Sequence, residues 1–342
     1  MSEKELMKKP VIIDVDTGID DALALVFALK SPELEIKAVT VSGGNVSLEQ
    51  CALNTARIIH FVAETDPDIA VPPVVMGLEP STARPDVSDA HGADGLGGIS
   101  HLLSFEGEQD IINNDAVEVV KRVIEDVVNA GLNLTVITTG PLTNLHSWIK
   151  KFPELLQKGV SQVIMMGGAF LTCGNRSPVA EFNILSDPEA AAAVLDFCRG
   201  VDGPSQPRIS HVFVGLDVTH RVALRRSDIR DEIESNPWKK LPPMVDSLTR
   251  TYMDFYSKNE GHPGCPLHDP LTVAYAVDPS LFTTRALHVE IETEGQHTRG
   301  MTVADMRPSR LFKERSKEKT IVCLDVDTSG FESLFKKRAF SS

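Results

Sequence analysis

Positive charge is in short supply in this chain of 342 residues. Lys and Arg number 34 against 48 Asp and Glu, which gives a formal net charge of -14. Surfaces that bind nucleic acid or anionic membranes need clustered Lys and Arg, so this balance argues against both partners and suits a cation. Long apolar runs are also missing. No stretch approaches the ~20 apolar residues that span a bilayer, and the N-terminal "MSEKELMKKP" lacks the apolar core of a signal peptide.

Cysteine is scarce as well. The 5 cysteines are far apart and form no CxxC pair, so the sequence contains neither a disulfide framework nor a zinc motif. Hydrophobic residues make up 42% of the chain and charged residues 24%, which is typical of a soluble protein. We therefore expect a cytoplasmic protein with reduced thiols.

Apolar β-branched runs alternate with helical patterns along much of the chain. This alternation predicts an α/β fold, with an open, mostly parallel sheet and helices on both faces. Late runs with little helix between them, such as "TIVCLDV", predict a short antiparallel edge or extension. We expect one domain over residues 1–342, with residues 1–9 as a flexible N-terminal tail. The strand candidates are "VIIDV", "IKAVTVS", "NLTVITT", "SQVIMMGG" and "HVFVGLDV".

Four aspartates crowd the junction between the first predicted strand and the first predicted helix. Asp14 and Asp16 are two residues apart, so in a strand both lie on one side at its carboxyl end. Asp20 and Asp21 open the helix, where Asp20 could be the N-cap and Asp21 could interact with the helix dipole. Capping needs only one or two of these carboxylates, and four of them repel one another. A hard divalent cation such as Ca²⁺ or Mg²⁺ removes that conflict.

Other motifs fit this acidic stretch less well. A phosphate-binding loop needs Gly and Lys, and in an EF-hand the glycine would come later than Gly18. A Mg²⁺ phosphohydrolase with Asp14 as nucleophile resembles "DVDTG" more closely, but Gly18 occupies its hydroxyl or Val position. The tetrapeptide "DVDT" also recurs at Asp325 without the second acidic pair. The informative pattern is therefore Asp16 together with Asp20 and Asp21.

A histidine and an aspartate stand together at the start of a later predicted helix. His268 and Asp269 precede Pro270, and a cap followed by proline explains Asp269, as in the "DP" of Asp187. Capping does not explain His268, which could donate a proton to a leaving group or could be structural.

Amides and carboxylates further along suit a ligand rich in hydroxyl groups. Glu181 and Asn183 lie two apart in a run predicted to be extended, so both would face one side, and Asn175 precedes them in a loop. Such groups suit a sugar, although local turn chemistry is the alternative. Thr139 and Asn45 lie at the ends of two other predicted strands. The Thr139 carbonyl has no hydrogen-bond partner in the predicted sheet and could bind a cation.

Six motifs in this chain occur in the order and approximate spacing of the nucleoside hydrolases, the inosine-uridine preferring ribohydrolase family. The resemblance covers about residues 10–280. It implies a Rossmann-like fold, one Ca²⁺ at the carboxyl edge of the sheet, a homodimer or homotetramer, and hydrolysis of ribonucleosides to ribose and free base in nucleoside salvage or degradation. The motifs are "DVDTGIDDALAL", "VSGGN", "TTGPLTN", "MMGG", "NRSPVAEFN" and "PLHDP".

The resemblance also implies a role for each matching residue. The Ca²⁺ ligands would be Asp16, Asp21, the main-chain oxygen of Thr139, and Asp269, with Asp14 supporting them. Asp16 would also act as general base on a Ca²⁺-bound water, and His268 as the acid that protonates the leaving base. The implied substrate contacts are Asp20 and Asn183 at the ribose 2′ and 3′ hydroxyls, Asn175 and Glu181 at the 5′ hydroxyl, Asn45, Met166 and Asp269 near the ribose, and His91, Tyr252 and Tyr256 at the base.

The chain departs from the common family pattern in two places. Thr17 stands where proline is usual, and the loop before Asn175 is one residue longer.

A purine-specific branch of the family sandwiches the base between tryptophans, but Trp148 and Trp238 lie outside the base-binding segments, so the branch with an acid histidine fits better. Base preference stays open. A non-catalytic nucleoside- or sugar-binding protein is the other alternative, and it would not require the acid and base pair.

Overall fold

The computed structural model describes residues 8–82, 87–103, 105, 107, 111–112, 116–200, 209–307 and 320–341. Strands and helices alternate through most of this chain. The strands are β1 (Lys9–Val15), β2 (Leu34–Val41), β3 (Val74–Met76), β4 (Leu134–Thr138), β5 (Val160–Met166), β6 (Ser210–Val214), β7 (Ala223–Leu224), β8 (Cys265–Pro266), β9 (Phe282–Leu287), β10 (Val289–Ile291), β11 (Thr302–Ala304) and β12 (Thr320–Val326).

Thirteen α-helices lie among the described residues. None of them combines the length and apolar character needed to cross a membrane. They are α1 (Ile19–Leu29), α2 (Leu48–Thr65), α3 (Ser88–His91), α4 (Ala116–Asn129), α5 (Thr143–Lys151), α6 (Pro153–Gly159), α7 (Phe182–Ser186), α8 (Pro188–Arg199), α9 (Leu216–Thr219), α10 (Arg226–Ser235), α11 (Leu241–Glu260), α12 (His268–Val277) and α13 (Thr328–Ala339).

One eight-stranded sheet organises the structure. Its order is β3-β2-β1-β4-β5-β6-β12-β9, and every neighbouring pair is parallel except β12 with β9. This confirms the predicted mostly parallel α/β fold. Strand order reverses at β1, with β2 and β3 on one side and β4 on the other, and ligands bind at such switch points beyond the carboxyl ends of the strands.

Apolar side chains pack on both faces of the sheet. In β1, Val11, Ile13 and Val15 belong to one buried cluster and Ile12 belongs to the other, as the two-residue period of a strand requires. The first cluster includes residues of α1, α2, α11, α12 and α13, and the second includes residues of α4, α5, α6 and α8. Helix α1 is buried along nearly its whole length, which holds its first turn firmly at the sheet edge.

Three differences from the predicted elements concern strands β1, β6 and β12. Strand β6 ends at Val214, and the following "LDV" belongs to helix α9, which starts after Gly215. Strand β12 lies inside the main sheet, parallel to β6, whereas β9 forms the antiparallel edge and β10 pairs with β11 separately. Strand β1 already includes Lys9, the last residue of the predicted tail, and residues 1–7 lie outside the described part of the chain.

Candidate active site

The acidic junction is a tight turn between β1 and α1. Gly18 occupies the N-cap position of α1, and Asp21 accepts hydrogen bonds from the backbone N–H groups of Gly18 (3.0 Å) and Asp16 (3.3 Å). A Cβ on Gly18 would lie 2.5 Å from Nδ1 of His91, so this position needs glycine. Gly18 is therefore the N-cap residue, and the alternative in which Asp20 has that role is wrong.

A cleft of about 280 Å³ opens at this edge of the sheet. Its lining includes all of the predicted site residues except Asp14 and Asp21. The structure thus brings together side chains from both halves of the chain. The predicted residues that line the cleft are Asp16, Asp20, Asn45, His91, Thr139, Met166, Asn175, Glu181, Asn183, Tyr252, Tyr256, His268 and Asp269.

Three buried carboxylates form a cluster in this site. Oxygens of Asp20, Asp21 and Asp269 all lie within 4.8 Å of one another. Burial raises the pKa of each carboxyl, to about 6 for Asp20 and well above its usual value for Asp269, and the charge of Asp20 adds to the rise at Asp21 and Asp269. Oδ1 of Asp20 is buried without a hydrogen-bond donor among the described residues. These oxygen-only groups fit a hard divalent cation.

Two other expected cation ligands lie next to this cluster. Asp16 is buried, accepts the Asn45 backbone N–H at 3.0 Å, and has a pKa raised well above its usual value by burial and by the charges of Asp21 and Asp20. The Thr139 hydroxyl donates to Asp21 at 2.6 Å, while its carbonyl accepts a hydrogen bond from the Asn183 amide at 2.6 Å.

Asp14 lies behind the cleft. Its Oδ1 accepts hydrogen bonds from the Thr40 hydroxyl (2.5 Å) and the Asn144 amide (2.8 Å), and burial raises its pKa to about 7. Asn144 is not among the predicted site residues; it also donates to the Val41 carbonyl and accepts the Leu78 N–H. The last position of the "TTGPLTN" motif was the available signal. Because Asp14 does not line the cleft, its position argues against a nucleophilic role.

Glu181 and Asn183 face the cleft from a helical turn, so the predicted extended run is wrong. The Glu181 carboxylate caps α7 by accepting the backbone N–H groups of Asn183 (2.9 Å) and Ile184 (3.1 Å), and it also accepts that of Gly168 (3.2 Å). Burial raises the Glu181 pKa to about 7. In the loop before them, Asn175 accepts the Phe182 N–H at 3.0 Å.

Aromatic side chains also line the cleft, next to the acidic cluster. Tyr252 and Tyr256 lie one turn apart on α11, with ring centroids 4.8 Å apart, and the Tyr252 hydroxyl donates to Asp20 at 3.3 Å. The ring of His91 lies 5.1 Å from that of Tyr252, and its Nδ1 accepts the Ile19 N–H at 3.1 Å. Burial lowers the pKa of His91 to about 4, so this imidazole is neutral at physiological pH.

His268 stands at the first position of α12. Its Nε2 lies 3.2 Å from the Tyr256 hydroxyl, and burial lowers its pKa well below the usual value. The prediction that Asp269 caps this helix is wrong, because α12 already begins at His268 and this directs Asp269 into the acidic cluster. Asp187 does cap α8, as predicted, and accepts the Ala190 N–H at 3.3 Å.

Comparison with known proteins shows which family the chain belongs to. The family model described as inosine-uridine preferring nucleoside hydrolase matches residues 11–333. The chain belongs to that family. The pyrimidine-specific ribonucleoside hydrolase RihA of Salmonella gallinarum is 37% identical to it over 336 residues, covering 97% of this chain and 98% of the relative. Such relatives hydrolyse the N-glycosidic bond of ribonucleosides, and the chain is an enzyme of this class.

Solved structures agree with the sequence comparison. A purine-preferring ribonucleoside hydrolase from Gardnerella vaginalis superposes with a TM-score of 0.81 at 30% identity, covering 97% of this chain and 98% of its own. A plant nucleoside hydrolase, PpNRh1, superposes with a TM-score of 0.81 at 31% identity, covering 98% and 99%.

Neither tryptophan lines the cleft. Trp148 is buried in the cluster that contains residues of α5 and α8, and Trp238 is 73% exposed. The aromatic side chains that line the cleft among the described residues are therefore those of histidine, tyrosine and phenylalanine, not an indole pair.

Proposed function

We propose that this nucleoside hydrolase uses Asp16 as general base and His268 as the group that protonates the leaving base. The observation that carries this proposal is that one cleft is lined both by buried carboxylates and by a hydrogen-bonded histidine–tyrosine pair. Cleavage of an N-glycosidic bond needs both kinds of group, because a hydrolytic water must lose a proton and the departing base must gain one.

We also propose that Ca²⁺ is the cation, held by Asp16, Asp21, Asp269 and the carbonyl oxygen of Thr139. Ca²⁺ takes six to eight oxygen ligands, and the buried oxygen-only groups support a hard ion of this kind. Such an ion, when bound, neutralises carboxylate repulsion and lowers the pKa of water in the site. Asp14 would support this set from behind through its contacts with Thr40 and Asn144.

The side chains of this protein divide the reaction between them. Asp16 accepts a proton from the attacking water, and the surrounding carboxylates stabilise the positive charge that develops on the sugar ring. His268 in its protonated form gives the Nε2 proton to the leaving base, directly or through the hydroxyl of Tyr256, and returns to the neutral imidazole. Burial lowers the His268 pKa, which makes the protonated ring a stronger acid.

The remaining cleft residues would position the substrate. We assign Asp20 and Asn183 to the ribose 2′ and 3′ hydroxyls, Asn175 and Glu181 to the 5′ hydroxyl, and Asn45 and Met166 to the ribose environment. Asp269 would contact the ribose as well as the cation. At the base we place His91 and the two tyrosines of α11. Their lining of a single cleft supports these assignments.

The preferred substrates would be pyrimidine ribonucleosides. This part of the proposal follows the 37% identical relative, which is named as pyrimidine-specific, over the 30% identical structure, which is named as purine-preferring. We further propose a single hydrolase domain over residues 1–342, a homodimer or homotetramer, and a cytoplasmic role in nucleoside salvage or degradation.

The test is a substrate panel with and without a calcium chelator. Uridine, cytidine, inosine, adenosine and guanosine are incubated with the purified protein, and released ribose is measured as reducing sugar. We expect release that the chelator suppresses and that is fastest for uridine or cytidine. No ribose from any of the five at high enzyme concentration would overturn the catalytic proposal.

A further inference from the structure

His268 has a hydrogen-bond partner that lies outside the cleft lining. The Thr219 hydroxyl, on α9, lies 2.7 Å from Nδ1 of His268, and Thr219 is fully buried. The ring also meets that of His220 edge to face, with centroids 5.4 Å apart. Together with Tyr256 at Nε2, these contacts surround the imidazole of His268.

Buried threonines in helices commonly bond back to a carbonyl of their own helix. In this chain Thr249 donates to the Val245 carbonyl at 2.8 Å, and Thr55 donates to the Cys51 carbonyl at 2.7 Å. Thr219 instead directs its hydroxyl across to an element that follows it by 49 positions. Its hydroxyl is therefore committed to the histidine rather than to its own helix.

We infer that Thr219 is a positioning residue for leaving-group protonation, because its hydroxyl fixes the rotation of the His268 ring so that Nε2 faces the cleft. A hydroxyl can donate or accept, so it suits Nδ1 in either ring tautomer. The inference rests on the proposed role of His268. We therefore expect removal of the Thr219 hydroxyl to lower kcat only for substrates whose leaving base must be protonated.

The test compares two substrates in matched variants. Uridine has a leaving group that needs a proton, whereas 4-nitrophenyl β-D-ribofuranoside releases a stable phenolate. Thr219→Val removes the hydroxyl at similar volume, and Thr219→Ser keeps it. Thr272→Val makes the same change at a fully buried hydroxyl that has no hydrogen-bond partner among the described residues.

We expect Thr219→Val to lower kcat on uridine by about tenfold, equivalent to about 1.4 kcal/mol, with little change in KM. Its kcat on the nitrophenyl riboside should stay near that of the wild type. Thr219→Ser should restore uridine turnover, and Thr272→Val should match the wild type on both substrates. In a His268→Ala background, Thr219→Val should cause no additional loss.

Several outcomes would overturn the inference. Equal losses on both substrates would indicate a purely structural threonine, as would an additional loss in the His268→Ala background. If His268→Ala loses uridine turnover selectively while Thr219→Val does not, the inference fails and the proposed function stands. If His268→Ala loses both activities equally, the role of His268 fails, and that of Thr219 fails with it. If Thr219→Val does not fold, Thr219→Ala with Thr219→Ser as its rescue gives the same comparison.

Discussion

Removal of the cation should destabilise this protein, and one conservative substitution should abolish that dependence. Carboxylate oxygens of Asp20, Asp21 and Asp269 lie within 4.8 Å of one another. Two ionised carboxylates at this distance repel by about 3.5 kcal/mol at an effective dielectric constant of about 20. The raised pKa values of all three groups, caused first by burial, show that the cation-free site holds its negative charge at a cost. A bound divalent cation would offset this cost.

The size of the effect follows from binding linkage. A ligand at 100 times its dissociation constant stabilises the folded state by about 2.7 kcal/mol. Since 1 kcal/mol shifts the Tm of a domain of about 150–250 residues by roughly 2–4 °C, we expect Ca²⁺ to raise the Tm of this longer chain by about 5 °C. Calorimetry in Ca²⁺ and in a chelator measures the difference.

Asp269→Asn tests where this stabilisation arises. The amide keeps the size of the side chain but removes one charge, so the cation-free variant should unfold at the wild-type temperature or above it, with almost no response to Ca²⁺. Asp327→Asn is the matched control: Asp327 caps α13 by accepting the Gly330 N–H at 3.0 Å, and asparagine caps equally well. It should keep the full response. A wild type indifferent to Ca²⁺, or an Asp269→Asn variant with the full rise, would refute the reasoning.

Three further predictions concern single side chains. Asp16→Asn should lower kcat by about 10²–10⁴-fold, whereas Asp327→Asn, at the matching position of the second "DVDT", should leave ribose release unchanged. Burial raises the Glu181 pKa from 4.5 to about 7, so the protonated carboxyl stabilises the fold fully below about pH 4.5, and about 3 kcal/mol of this stability is lost as pH rises through about 7. Glu181→Gln should flatten this part of the dependence of the unfolding free energy on pH, measured with urea. Asn144→Ala should lower the free energy of unfolding by about 2–3 kcal/mol because it removes a buried partner of Asp14, and wild-type stability in urea would contradict this.

Much of the sheet and of the cleft could be predicted from local patterns. Strands with buried, β-branched residues and helices with apolar faces have distinct periods, so the alternation predicted a parallel sheet. Polar residues at the ends of such strands converge because parallel strands share one carboxyl edge. Asp16, Asn45 and Thr139 follow three neighbouring strands, β1, β2 and β4, and all line the cleft.

Features set by distant contacts could not be predicted in this way. The extended run around Glu181 is a helical turn because its carboxylate binds backbone N–H groups, including that of Gly168 on another segment. The period of β12 shows that it is a strand but not which strands it joins. Thr219 is a single polar residue in a helical segment, and nothing in the local sequence marks His268 as its partner. Asn144 ends a recognisable motif, but the motif does not indicate that its partner is Asp14.

The place of β12 in the sheet has a consequence for synthesis of the protein. Until β12 emerges from the ribosome, β6 has an open edge with unpaired backbone groups, and such edges invite association with other chains. Helix α13, which follows, packs Phe331 and Phe335 against Phe27 of α1, the helix that carries Asp20 and Asp21. The acidic turn is synthesised early, whereas the aromatic side chains that pack against its helix are synthesised later. We therefore expect nascent chains that end before β12 to be inactive and dependent on chaperones.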